Sequence, residues 1–184
     1  MASLIKNFTL STITLVVLFS GCTQPKNLSY AQQIKERTKY YSSLSEEEQI
    51  KAVSQYWWKI QFIKAPSYKV QKAALETSPR AIEEIENPTK EIQILAVNKI
   101  MKDGSFNIAL TKLIESFDEE AQIIAVRHNP QIIQFITYPS ERVQLEAVKI
   151  NPFVIKNIIN ATQKAKQEAV KRNPRVAKFL RKKM

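Results

Sequence analysis

The residues of this chain that could do chemistry are few and lie far apart. His128, the single histidine, stands in the stretch RHNP and could be interpreted as part of an acid/base cluster on a loop. A histidine acting as a general base needs a partner that orients its ring. The single cysteine, Cys22, lies near the opposite end of the chain. Since zinc and iron–sulfur sites need several cysteine or histidine ligands, we expect neither a metal nor a cofactor.

The densest group of charges is basic and lies at the C-terminus. From Lys164 to Met184, nine lysine and arginine residues accompany one acidic residue, Glu168, in a chain of net charge +11. Such a group attracts anionic lipid headgroups, an anionic polymer or an acidic protein partner. The alternative interpretation is a solvated end that keeps the protein soluble. The candidate binding residues are Lys171, Arg172, Arg175, Lys178, Arg181, Lys182 and Lys183.

The N-terminus has the composition of a secretion signal. Lys6 precedes an apolar run from about Phe8 to Phe19, which is too short to span a bilayer and is typical of a signal peptide. The run ends in LFSGC, residues 18–22, which resembles the lipobox of bacterial lipoproteins, with Phe19 where leucine is usual. The resemblance implies that Cys22 carries acyl chains such as palmitate and becomes the mature N-terminus. The other interpretation is an uncleaved N-terminal anchor with an incidental thiol.

Both interpretations place the protein outside the cytoplasmic membrane. They predict a signal peptide over 1–21 and, for the lipoprotein, a lipidated tether over 22–29 that holds the protein to the cell envelope through buried acyl chains. Thr23 is not the aspartate associated with inner-membrane retention in enterobacteria. The resemblance therefore favours the outer membrane in a Gram-negative host. Nucleic acid is not expected as a partner in this compartment.

The rest of the chain is organised around a repeated alanine. Stretches such as VQKAAL, AQIIAV and VQLEAV align on this residue, and the successive alanines are Ala52, Ala74, Ala96, Ala125, Ala147 and Ala169. They are spaced by 22 residues, except for 29 between Ala96 and Ala125. We therefore expect a seven-residue insertion near 101–107, where Gly104 lies. A regular period of this length is typical of stacked structural repeats.

Helix-capping residues follow the same period and predict two short helices in each repeat. Seven positions before the alanines stand residues that favour a helix N-cap: Ser45, Ser67, Thr89, Asp118, Ser140 and Thr162. After four of the alanines, a cap residue and a proline, as in Asn129-Pro130, mark the start of a second helix. Apolar residues eight and eleven positions after the alanine, such as Ile133 and Ile136, would face the core.

This pattern predicts an all-α protein, a short α-solenoid of about six two-helix repeats over 30–184. The segment from Tyr30 to Tyr41 would form an N-terminal capping helix. VQLEAVKINPFVIKNI and AQIIAVRHNPQIIQFI resemble the leucine-rich repeat variant, a bacterial relative of HEAT repeats, although the period here is 22 residues and is shorter than in that family. The resemblance implies a right-handed solenoid and an interaction surface. Because no cysteine cluster is present, it implies no redox or catalytic site.

Two further groups of residues have open interpretations. Glutamines stand three positions before five of the alanines and would form either hydrogen bonds between repeats or a polar binding strip: Gln49, Gln71, Gln93, Gln122 and Gln144. Tyr56, Trp57, Trp58 and Phe62 would either close the end of the core or form an exposed aromatic patch. His128 occupies a position that differs in every repeat and is interpreted as a surface residue.

The sequence therefore predicts a non-enzymatic, membrane-anchored lipoprotein that acts as a protein-interaction scaffold. The alternative is an electrostatic binder of anionic lipid or envelope polymer through the basic C-terminus. The expected partners are the membrane, reached by the lipid anchor, and a protein whose identity the sequence does not indicate.

Overall fold

The computed structural model describes residues 28–103 and 108–180, and every regular element within these ranges is a helix. The predicted all-α class is therefore confirmed. The predicted signal peptide, Cys22, and Arg181, Lys182 and Lys183 lie outside the described residues. The chain divides into two compact units, Met1–Arg37 and Thr38–Met184.

Helix α1 (Tyr30–Ser43) crosses the boundary between the two units. In the first unit, Ser29 begins the helix, because its N–H donates to Gln32 Oε1 at 2.8 Å and its Oγ accepts from the Gln32 N–H at 3.4 Å. In the second unit, the Ser42 hydroxyl donates to the Phe62 carbonyl at 3.2 Å and accepts the Lys64 N–H at 2.9 Å. The last turn of α1 is thus joined to the segment that follows Phe62.

Each repeated alanine lies on an α-helix that begins one residue after its predicted cap. These helices are α2 (Glu46–Gln55), α3 (Tyr68–Thr77), α4 (Lys90–Asp103), α6 (Glu119–His128), α7 (Glu141–Ile150) and α8 (Gln163–Arg172). Five predicted cap side chains accept the backbone N–H three residues on: Ser45, Ser67, Thr89, Ser140 and Thr162. Asp118 is the exception, since its side chain makes no such bond. The predicted capping box of Ser45 and Glu48 is present.

The predicted second helices are 3-10 helices rather than α-helices. They are η1 (Trp57–Phe62), η2 (Pro79–Glu84), η3 (Pro130–Phe135), η4 (Pro152–Asn157) and η5 (Pro174–Val176), the last followed by α9 (Ala177–Leu180). A 3-10 helix has three residues per turn, so side chains three positions apart lie on the same side. Ile133 lies in η3, and Ile136 is its C-cap, whose N–H donates to the Ile133 carbonyl; both side chains are buried.

Helix α5 (Ile108–Glu115) replaces the 3-10 helix after α4 and packs against η2 and η3. In the other repeats, the corresponding core residues lie eight and eleven positions after the alanine. Thr111 and Ile114 each lie seven positions further from Ala96 than that, and both are buried. The extra residues therefore lie before α5. They include the last residues of α4, which is longer than its counterparts, and residues 104–107, which lie outside the described residues.

The core lies between two rows of elements in the second unit. The alanine-bearing α-helices pack each on the next in chain order, and the 3-10 helices with α5 form the other row. Ala74, Ala96, Ala125, Ala147 and Ala169 are all fully buried. Around them lie β-branched residues and leucine, such as Val148 and Leu75. Alanine suits these positions because a larger side chain would overpack the contact between neighbouring helices.

Candidate functional site

The described part of the basic C-terminus lies on α8, η5 and α9, and its predicted binding residues are exposed. The Arg172 guanidinium already has partners within the protein, because it donates to Glu168 Oε1 at 2.5 Å and to the Lys149 carbonyl at 2.7 Å. The other three are Lys171, Arg175 and Lys178, and none of them has an ion pair among the described residues. These three cations are therefore available to an anionic ligand, whereas Arg172 mainly joins α8 to α7.

Sequence reasoning missed Lys156, which belongs to this surface, and the ring of Phe179 beside it. The Lys178 Nζ lies 5.0 Å and the Lys156 Nζ 5.9 Å from the centroid of the Phe179 ring. Lys156 and Lys178 each stand nine positions after their alanine, so the repeat register contained the signal for their proximity. We call Lys156, Lys171, Arg175 and Lys178 the C-terminal basic surface. Exposed cations beside an aromatic ring can bind anionic groups that carry apolar chains.

His128 has no catalytic surroundings in the structure. It is exposed, and its Nε2 lies 3.3 Å from Asn98 Oδ1 on the preceding alanine-bearing helix. Residues at the same position elsewhere make similar contacts: Arg172 binds the Lys149 carbonyl. Asn129 caps η3 by accepting the Gln131 N–H at 3.0 Å. The RHNP stretch is therefore a helix boundary with a contact between neighbouring helices.

The repeated glutamines bind backbone carbonyls, which favours the interpretation as structural hydrogen bonds over that of an exposed polar strip. Gln71, Gln93, Gln122 and Gln144 are buried, and Gln49 is half-buried. Each side-chain amide donates from Nε2 to a carbonyl just ahead of its own helix; Gln144 reaches Pro139 at 2.8 Å. These bonds join each helix to the segment before it, which is a linker for Gln71, Gln93 and Gln144 and includes the end of the preceding helix for Gln49 and Gln122.

Two of the glutamines also bind the linker that follows. The Oε1 atom of Gln144 accepts the Thr162 N–H at 2.8 Å, and that of Gln93 accepts the Asp118 N–H at 2.7 Å. In both cases the donor is the cap residue of the next alanine-bearing helix. Gln71 is different, because its Oε1 is buried and has no hydrogen-bond partner in the described part of the chain. Buried polar atoms are paired in most proteins, so this exception is informative.

A cavity of about 110 Å³ adjoins Gln71, between the linker after η1 and the linker after η2. Its apolar lining includes Ile60, Ile63 and Ile85. Ala65 is also in the lining and has a φ of 46°, the left-handed region that disfavours residues with a Cβ atom. Ala65 is the only one of the described residues with a positive φ.

Carboxylates at the first position of three alanine-bearing helices bind the next helix in the row. Glu46, Glu119 and Glu141 pair with Lys69, Arg142 and Lys164 respectively, and Lys164 Nζ lies 2.8 Å from Glu141 Oε1. The Ser67 and Ser140 hydroxyls also donate to the first two carboxylates. We call these three groups carboxylate clamps. The Ser67 hydroxyl lowers the pKa of Glu46, the Ser140 hydroxyl that of Glu119, and the Lys164 ammonium that of Glu141.

The aromatic residues near the start of the second unit serve both predicted purposes. Phe62 is buried and stacks on Tyr41 with ring centroids 5.9 Å apart, so it contributes to closing the core. Tyr56 and Trp58 are 48% and 37% exposed, and their rings lie 6.1 Å apart. The Lys59 Nζ lies 4.7 Å from the Tyr56 ring centroid. The exposed part is therefore small and carries a positive charge.

In the part of the chain that the structure describes, no group of three or more histidine, cysteine and acidic residues could hold a metal ion. None of the described helices is both long and apolar enough to cross a membrane. No protein-family model, curated protein or solved structure matches the chain.

Proposed function

We propose that the chain is an extracytoplasmic lipoprotein, anchored through Cys22, whose helical repeats form a short α-solenoid that acts as a protein-interaction scaffold. About six repeats would make up the solenoid, in line with the resemblance to the leucine-rich repeat variant. The observation that carries the proposal is the packing in chain order of equivalent elements, with the same glutamine-to-linker hydrogen bond at Gln71, Gln93 and Gln144. Repeats that contact only their neighbours are widely used as binding surfaces.

The lipid anchor is tested by Cys22→Ser in the native host, followed by metabolic labelling with a fatty acid and membrane fractionation. We expect the variant to lose acyl labelling and to leave the membrane fraction, because the sulfur is the proposed attachment site. Thr23→Ser, which leaves the cysteine in place, is the control. Acyl labelling of the Cys22→Ser variant would refute the lipobox.

The scaffold role is tested by crosslinking in intact cells and purification of the wild-type protein. We expect a defined protein partner that is still recovered with a variant of the C-terminal basic surface, Lys171→Gln/Arg175→Gln/Lys178→Gln. Loss of that partner in the basic-surface variant, with no other partner recovered, would contradict an interaction surface built from the repeats.

The second candidate function is binding of anionic lipid or envelope polymer through the C-terminal basic surface. It is favoured by the three exposed cations that have no ion pair among the described residues and by the two lysines beside Phe179. Association with vesicles containing anionic lipid should then weaken as salt is raised, because screening shortens the range of the attraction.

The basic-surface variant should lose most of this vesicle binding. A control variant that removes the same charge from exposed lysines elsewhere, Lys35→Gln/Lys39→Gln/Lys51→Gln, should keep it. Equal binding by the two variants would rule out the second candidate as a function of this surface. If salt-sensitive vesicle binding were the only association found, the scaffold would be the candidate to abandon.

A further inference from the structure

The cavity beside Gln71 can be compared with the equivalent position of another repeat, where the glutamine oxygen has a hydrogen-bond donor. Gln144 occupies the equivalent position on α7, where its Oε1 accepts the Thr162 N–H and its Nε2 also lies 3.4 Å from the Asn160 carbonyl. Counted from Gln71, the corresponding residues are Asn87 and Thr89. Gln71 Oε1 has no hydrogen-bond partner, and Asn87 lines the cavity instead. Among the described residues, the linker after η2 therefore does not give its glutamine the hydrogen bonds that the linker after η4 gives Gln144.

The orientation of the Gln71 amide is determined by its neighbour. Its Nε2 donates to the Pro66 carbonyl at 2.8 Å, and a carbonyl accepts hydrogen bonds only from a donor. The side-chain oxygen is consequently the atom without a partner. Gln71 is 5% exposed, so bulk water does not reach most of the side chain. A buried acceptor without a donor destabilises the protein, and a ligand that brings a donor would remove that cost.

The walls and the outer part of the cavity specify what kind of donor fits. Ile60, Ile63 and Ile85 supply apolar walls and are almost fully buried. Glu84 and Glu86 are exposed lining residues, and neither has an ion pair among the described residues. The lining residues thus supply a glutamine whose oxygen has no partner among the described residues, three isoleucines and two exposed carboxylates. Lys64 is the one cation in the lining.

We propose that this cavity binds the ammonium end of an alkylammonium chain. The methylene groups would lie against the isoleucines, and the three N–H groups would find acceptors in Gln71 Oε1 and the two carboxylates. A single water needs about 10–15 Å³ of such volume, so a space of about 110 Å³ accommodates a larger guest. The ligand is either a lysine side chain of a partner protein or a free polyamine. The inference does not depend on the lipid anchor.

The test follows the Gln71 side-chain amide by NMR in full-length protein labelled with ¹⁵N-glutamine, during titration with 1,4-diaminobutane and with a short lysine-containing peptide. We expect a saturable shift of the Gln71 signal with at least one of these probes, while the Gln144 signal stays in place. Tighter binding of the peptide would identify a partner's lysine as the source, and tighter binding of the diamine a free polyamine. Butyltrimethylammonium, which keeps the charge but has no N–H, should bind at least tenfold more weakly.

The variants separate this site from a general attraction of cations. Glu84→Gln/Glu86→Gln should weaken binding about tenfold, because both changes remove exposed carboxylates in the lining. The matched control, Glu47→Gln/Glu76→Gln, removes the same charge elsewhere and should stay within about twofold of the wild type. Equal affinity of the two double variants would overturn the proposal. A Gln71 signal that does not respond to either probe would also overturn it, since the cavity would then hold only water.

Discussion

Two helix contacts, α7 with α8 and α3 with α4, use the same positions of the repeat. They differ in the number of hydrogen bonds and ion pairs that join the two helices and their linkers. In the first, Gln144 binds the linker before α7 and the linker after η4, and Glu141 pairs with Lys164. In the second, Gln71 binds only the linker ahead of it, and Tyr68 stands where the clamp carboxylate would be. A repeated backbone can therefore present a closed contact in one place and an open one in another.

The difference follows from a few side chains at equivalent positions. Where a helix begins with glutamate, the next helix offers a lysine or arginine two positions after its cap, and the pair joins the two helices. Helix α3 begins with Tyr68 and α4 with Lys90, and neither makes such a pair among the described residues. The open contact is also where Ala65 has a positive φ. The region around Gln71 is thus the less constrained of the two.

Replacing the two glutamines gives the largest expected contrast. Gln144→Met leaves two carbonyls and the Thr162 N–H without their partner, and we expect it to lower the free energy of unfolding by about 2–4 kcal/mol. Gln71→Met removes one hydrogen bond but also an unpaired buried oxygen, so we expect a loss of about 1 kcal/mol or less. Denaturant unfolding measures both. Equal losses would show that the two contacts do not differ as described.

Enlarging a buried alanine tests the packing of the closed contact. Ala147 is fully buried, and Ala147→Leu should destabilise the protein by about 1–3 kcal/mol through overpacking. Ala52 is half-buried on α2, so Ala52→Leu should cost clearly less and serves as the control. The melting temperatures of the two variants provide the comparison. An unchanged melting temperature for Ala147→Leu would contradict the assignment of Ala147 to the helix contact.

A glycine at position 65 tests the backbone of the open contact. A residue with a Cβ atom in the left-handed region costs about 1–2 kcal/mol, which exceeds the extra chain entropy that glycine loses on folding. We therefore expect Ala65→Gly to raise the free energy of unfolding by up to about 1 kcal/mol. Ala161→Gly, in a linker residue without a positive φ, should instead be slightly destabilising. A lower stability of Ala65→Gly would show that the left-handed conformation at position 65 is not strained.

The smallest expected effect is the pH dependence of the carboxylate clamps. Because their folded pKa values lie below the ordinary 4.5, Glu119 and Glu141 stabilise the protein above that pH and lose this contribution as pH falls through the folded values. Glu119→Gln should reduce the loss of stability between about pH 5 and pH 2, and added salt should weaken the same contribution. Glu84→Gln is the control, as Glu84 has no ion pair among the described residues. An identical acid profile for both variants would exclude a stabilising clamp at Glu119.

Much of the local structure could be predicted because it depends on residues a few positions apart. The cap residues, the prolines and the alanine register gave the starts of the helices and the buried positions such as Val148. The 3-10 form of the second helices was missed, although a spacing of three indicates it better than an α-helix. The carboxylate clamps were missed as well. Their signal is an acidic residue followed 23 positions later by a basic one, as in Glu46 and Lys69.

The burial of the glutamines shows why other features could not be predicted. A polar side chain with a regular period is usually exposed, yet Gln144 is 2% exposed because the carbonyls and N–H groups of two linkers surround its amide. Those groups are backbone atoms and leave no trace in the residue types. The distance between Lys156 and the Phe179 ring likewise depends on where η4 and α9 lie in the fold, although the shared repeat position of Lys156 and Lys178 indicated that these two lysines are neighbours.

The sequence by itself determined the all-helical class, the positions of the caps and the register of the core, since capping and periodicity act within a few residues of one helix. Only the tertiary structure decided at which of the equivalent positions the glutamine oxygen receives a hydrogen bond. Gln144 obtains a donor from Thr162, 18 residues away, and Gln71 obtains none because the corresponding linker does not reach it. The distance between a helix and the next linker depends on the side chains packed between them, and residue type at one position does not specify that distance.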